Sequence, residues 1–136
     1  MAATDTAKDT ATELLRLNER LLKSIVTGDW ATYDSLCAAD LTCFEPEALG
    51  HLVEGMAFHK FYFDLGAGAG SVNVTMAGAH VRMLGSDAGV VSYTRLVQRL
   101  DASGSPVTSR VEETRIWQRL SNTWKLVHVH RSQAAT

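Results

Sequence analysis

The chain has 136 residues, 46% of them hydrophobic and 21% charged, and a formal net charge of -2. That length fits one domain with enough interior for a core. The interspersed charges exclude a general nucleic-acid binder and a polybasic membrane surface, and no apolar run approaches a membrane span.

The polar start "MAATDTAKDTATELL" lacks the basic end, apolar middle and cleavage site of a secretory signal. Cys37 and Cys43 are too few for a disulfide framework and have no CxxC spacing. They are expected to be reduced thiols in a cytoplasmic protein. Residues 1–9 are expected to form a flexible N-terminus, 10–132 one folded domain, and 133–136 a short tail.

In chain order, "TATE" offers a capping box, with Thr10 as N-cap and Glu13 three residues on. Leu14, Leu17, Leu21 and Ile25 follow at helical spacing, and Gly28 stops the helix. Asp29 then caps a second helix, "WATYDSLCA". Leu41 to Phe44 read as a short strand ended by Pro46. "HLVEGMAFHKFYFDL" is helical at its aromatic end, and "GAGAGS" at 66–71 is a loop. Four long alternating segments complete the chain, with "DASGSP" and "SNT" as hairpin turns. Helices in front of an antiparallel sheet make an α+β domain, with the first helix packed on one sheet face.

Side chains alternate along a strand with period two. Arg95 therefore shares a face with Tyr93 and Val97, Arg115 with Glu113 and Trp117, and Arg131 with Val127 and Val129. If those faces turn inward, three guanidinium groups meet in one cavity. They then need carboxylates such as Glu112 or Glu113, or a bound anion, because an unpaired buried charge costs several kcal/mol. The commoner arrangement lays such arginines over the exposed face of a sheet. The alternation leaves both open, since both faces carry apolar residues.

No metal set is expected. His128 and His130 share a face, but no third ligand stands out. His59, within an aromatic helix, reads as packing unless the arginine cavity lies beside it. No Ser-His-Asp arrangement and no phosphate-cradling loop after a strand is present, so no cofactor is expected. For an enzyme the acid–base candidates are Glu45, Asp64 and Tyr93, without a clear dyad.

The stretches "NERLLKSIVTGDWATYDSLC", "FEPEALGHLVEGMAFHKFYF", "VSYTRLVQRLDASG" and "EETRIWQRLSNTWKLVHVHRS" carry a resemblance. In order and spacing they resemble the association, or hub, domain of calcium/calmodulin-dependent protein kinase II, from about Thr12 to Ser132. The resemblance implies a nuclear transport factor 2-like cone: a strongly curved antiparallel sheet wrapped around a long helix. It implies a non-catalytic hub whose dimers build stacked rings of kinase subunits. It also implies an arginine-lined pocket that accepts small carboxylates or a kinase peptide segment. "YTRL" supplies Arg95, "ETRIW" Arg115, "HRS" Arg131, and "FHKFYF" His59 at the edge. The likeness turns the expectation for the arginines from exposed to inward. Three departures stand out, one of them that "MAGAHVRMLG" replaces a proline-containing turn and strand of the family. "GAGAGS" is shorter than the family's loop and lacks its tryptophan, and Arg99 takes the place of a tyrosine. The chain carries no glycine-rich ATP loop, no HRD and no DFG, so it reads as a hub cut from a larger protein or one that stands alone. A small cone-fold isomerase or hydrolase acting on an anion is the alternative.

Overall fold

The computed structural model describes residues 2–66 and 70–133, with side chains from residue 6 onward. The core of the expected glycine-rich loop, residues 67–69, and the tail residues 134–136 lie outside the described residues.

Helix α1 runs over Ala2–Thr27. It begins well before the Thr10 capping box, because no glycine or proline interrupts residues 2–9. Thr10 is a mid-helix residue whose Oγ1 donates to the Thr6 carbonyl at 2.9 Å. Gly28, at φ 69°, ends α1 as expected. Asp29 caps α2 (Trp30–Leu36) by accepting from the Thr32 backbone N–H at 3.2 Å. The chain then turns extended at Cys37, four residues earlier than the sequence implied, and β1 spans Cys37–Phe44. A 3-10 turn (Pro46–Ala48), the short β2 (Val53–Glu54) and α3 (Ala57–Asp64) follow. The strands β3 (Asn73–Met83), β4 (Ala88–Leu100), β5 (Pro106–Leu120) and β6 (Thr123–Arg131) form the bulk of the sheet. The β5–β6 hairpin closes through Ser121 and Asn122, both at positive φ, the conformation a two-residue loop between twisted strands requires.

The sheet order is β2-β1-β6-β5-β4-β3. Four of the five pairings are antiparallel, but β1 runs parallel to β6, a crossover that hairpin logic did not foresee. The sheet is open and α1 lies against its concave face, contacting β3 and β4. Leu14, Leu21 and Leu22 of α1 meet Val91, Trp117 and Leu126 of the sheet in one buried cluster. Asn18, also fully buried on α1, accepts a 3.0 Å hydrogen bond from Trp117 Nε1. That bond satisfies the indole N–H and fixes the helix register over the sheet.

Leu21→Ala is expected to destabilise the domain by about 3 kcal/mol in urea denaturation, because Leu21 is 0% exposed and truncation leaves a cavity. A loss below about 1 kcal/mol would contradict this core face.

Candidate functional site: an arginine-lined cavity

Alternation on β4 and β5 turns Val91, Tyr93, Glu113, Arg115 and Trp117 toward the helix. Arg95 continues that face of β4. On β6 the same rule needs a correction. The register shifts so that Trp117 pairs with Leu126 while Ile116 pairs with His128. Val127 is the extra residue, a β-bulge that reverses facing along the strand. Leu126 and Val129 are therefore both buried, and Val127 does not share the face of Val129 and Arg131.

Arg95, Arg115 and Arg131 thus meet, with His59 of α3, around a cavity of about 280 Å³. Tyr33, Cys43, Glu45, Glu47 and Phe63 complete most of its wall. His59, Tyr62 and Phe63 of α3 line the cavity, Tyr62 from a partly exposed position, while Phe61 is turned to water.

Glu113, 2% exposed, is the hub of the deep end. Its Oε1 accepts from the Tyr93 hydroxyl and from Arg115 Nε at 3.2 Å. Its Oε2 stands 3.1 Å from Arg95 Nη1, an ion pair outside hydrogen-bond geometry. Arg115 Nε also donates to the Tyr93 oxygen at 2.9 Å. Burial alone would push the Glu113 carboxyl up, but Arg115 and Arg95 outweigh it and hold it below the usual carboxylate range. Burial likewise opposes charge on Arg115, yet Glu113 raises its pKa well above the ordinary guanidinium value. Glu112, the other carboxylate candidate, is exposed on the opposite face, as alternation requires. At the mouth, Arg131 Nη2 pairs with Glu47 and, at 3.4 Å, with Glu45.

The cavity keeps donors in reserve. Arg115 Nη1 and Arg95 Nε are buried without a hydrogen-bond partner. His59 bonds through Nδ1 to the Tyr33 hydroxyl at 3.0 Å, and burial, reinforced by Arg115, pushes its pKa down to about 4. It is neutral at pH 7. Arg99 lies apart, exposed on the rim of a neighbouring cavity that shares Arg95 as a wall.

Of the enzyme candidates, Asp64 is outside the cavity, paired with Lys60 at 2.9 Å on the α3 surface. The Tyr93 hydroxyl is committed to Glu113, and burial pushes its pKa up to about 12. Only Glu45 faces the cavity, with its pKa raised by burial and by Glu47. Tyr33, Cys43 and Glu47 were not singled out as site residues by sequence reasoning. The available signal for Cys43 was its two-residue spacing from Glu45, whereas the places of Tyr33 and Glu47 depend on non-local packing. His128 faces away, its Nδ1 held by Thr42 Oγ1 at 2.8 Å.

A long helix in the hollow of a curved sheet, with a polar cavity at the open end, defines the nuclear transport factor 2-like class. A nuclear transport factor 2-like protein of unknown function from Pseudomonas putida superposes with a TM-score of 0.76 over 92% of this chain and 87% of its own, at 19% identity, which speaks to the fold alone. Within that class the likeness is much narrower. The calcium/calmodulin dependent protein kinase II association domain family matches residues 10–135. The association domain of the Caenorhabditis elegans kinase superposes with a TM-score of 0.90 at 43% identity, covering 95% of this chain and 99% of that one. The type II alpha chain of Drosophila melanogaster is 45% identical over 125 residues, which is 90% of this chain. The chain belongs to the association-domain family of calcium/calmodulin-dependent protein kinase II. It spans about a quarter of the length of the curated relatives it matches, 24% in the Drosophila protein.

Glu113→Gln is expected to cost about 3–5 kcal/mol, since it strips Arg115 and Arg95 of their buried counter-charge. A carboxylate with a depressed folded pKa contributes stability above its ordinary value of 4.5, and loses it as pH falls through the folded value. The gap between wild type and variant should therefore be full above pH 4.5 and close on further acidification. Urea denaturation across that range measures it, and a gap that widens in acid would refute the assignment.

Proposed function

We propose that the chain is an oligomerisation hub: its dimers build two stacked rings that gather calcium/calmodulin-dependent protein kinase II subunits in the cytoplasm. Family membership across residues 10–135 is the observation that carries this reading. The surface supports it. Leu49, Phe61 and Leu65 are 88%, 58% and 67% exposed, apolar side chains available to contacts between subunits. Gathering subunits raises their effective concentration for one another, so that neighbouring kinases meet without free diffusion.

The cavity gives the hub a ligand-binding role, for a small carboxylate or an acidic side chain of a kinase segment. The unused Arg115 Nη1 and Arg95 Nε support it, because a carboxylate accepts two such donors at once. His59, neutral, adds a polar wall without adding charge. An isomerase or hydrolase reading lacks an acid–base dyad: of the candidates only Glu45 faces the cavity, and it is paired with Arg131 at 3.4 Å.

Native mass spectrometry at micromolar concentration is expected to show an even-numbered complex of about ten or more subunits, and a monomer or simple dimer would sink the ring reading. Calorimetry with a small dicarboxylate is expected to show binding that weakens about tenfold or more in Arg115→Lys. That variant keeps a cation for Glu113 but removes the free Nη1, and one charge-assisted hydrogen bond is worth about 1.5–3 kcal/mol. Equal binding by the variant would remove Arg115 from the site.

A further inference from the structure

Three residues on the cavity wall bring a thiol, a carboxylate and an imidazole together. Cys43 and Glu45 stand two apart at the end of β1 and project to the same side. His59 reaches them from α3. The Cys43 thiol, a Glu45 carboxylate oxygen and a His59 ring nitrogen lie within 4.8 Å of one another. His59 is 7% exposed, and its Nε2 is buried with no hydrogen-bond partner. A buried polar atom left unpaired costs about 1–3 kcal/mol, so the atom is in want of something the chain does not supply.

We propose that Cys43, Glu45 and His59 bind a zinc-class divalent cation, with the fourth coordination position opening into the arginine cavity. The donors are one thiolate, one imidazole and one carboxylate, the set that zinc accepts and that calcium and magnesium do not favour. Three protein ligands leave one position for solvent or a ligand, the arrangement of open zinc sites. Metal–ligand bonds of about 2.0–2.3 Å put tetrahedral ligand atoms about 3.3–3.8 Å apart, so the cluster closes on a cation by about an ångström.

The surrounding shell fits. The Tyr33 hydroxyl occupies His59 Nδ1 at 3.0 Å. With the proton on Nδ1 donated to that oxygen, the Nε2 lone pair points free, which is how an outer hydrogen bond selects the ligating nitrogen. The charge balance is also workable. Glu45, Glu47 and Glu113 equal Arg95, Arg115 and Arg131 in number, Glu113 serving two of the arginines and Arg131 the other two carboxylates. On binding, a bond forms from Cys43 Sγ to the metal and the thiol proton leaves to solvent. Glu45 turns toward the metal while Arg131 keeps Glu47. The single positive charge then added favours an anion in the fourth position.

The test uses the full chain, stripped with a chelator and titrated with cobalt(II). A stoichiometric thiolate-to-cobalt charge-transfer band, bleached by zinc, is the expected result. Cys43→Ala and His59→Ala should abolish the band, Tyr33→Phe should weaken zinc binding about ten- to hundredfold, and Cys37→Ala, which removes the other thiol, should leave the thiolate-to-cobalt band in place. If Cys43→Ala does not fold, by circular dichroism, Glu45→Gln at the strand end serves in its place and should weaken zinc binding at least about tenfold. No charge-transfer band, a band that survives Cys43→Ala, or zinc affinity unmoved by Glu45→Gln overturns the site. The dicarboxylate calorimetry, run without metal, stands or falls separately.

Discussion

Burying a guanidinium group among aromatic and aliphatic side chains is costly unless a carboxylate is buried with it. Arg115, 3% exposed beside Trp117 and Tyr93, is in that position, and Glu113 two residues before it on the same strand face is the answer. One carboxylate serves two guanidinium groups from neighbouring strands and takes a hydroxyl proton as well. The arrangement ties β4 to β5 at the deep end of the cavity. It also leaves Arg115 Nη1 and Arg95 Nε buried there without a hydrogen-bond partner.

The mouth is built on a different logic. Arg131 sits at the end of β6 and is balanced by Glu45 and Glu47 from the segment after β1. Those two segments meet only because β1 runs parallel to β6, and parallel neighbours bring strand ends of the same sense together. The bulge at Val127 then sets which β6 side chains look inward, so that Leu126 serves the core and Val129 and Arg131 serve the cavity. The mouth thereby places Cys43, Glu45 and His59 next to the arginines, an acidic and soft-donor wall facing a basic one.

In the proposed hub, ring assembly would use the outer surface, where Leu49, Phe61 and Leu65 are exposed, and ligand capture the inner one. Because α1 and the strand faces carry both the core and the cavity, any occupant that neutralises the surplus donors also relieves a buried electrostatic cost in the same packed unit. No helix among the described residues is long and apolar enough to cross a membrane.

The alternation of β4 and β5, the stripe of α1 and the Gly28–Asp29 break were legible because each depends on neighbours within a few residues. Leu14, Leu21 and Leu22, and the pairing of faces at Tyr93, Arg115 and Trp117, stand where periodicity put them. The N-terminal extension of α1 was missed because a capping box is only a local option, and a chain with no breaker upstream of Thr10 need not take it. Whether the arginine faces pointed inward was not decidable from the strands alone, since both faces carry apolar residues; the family likeness, not periodicity, resolved it. By itself, then, the sequence determined the packed stripe of α1, the alternation along β4 and β5 and the fold family. Tertiary structure alone decided the parallel β1–β6 contact, the bulge at Val127 and the meeting of Cys43, Glu45 and His59. The physical reason is sequence separation: contacts between segments some 15 to 85 residues apart are chosen by global packing, on which local periodicity is silent.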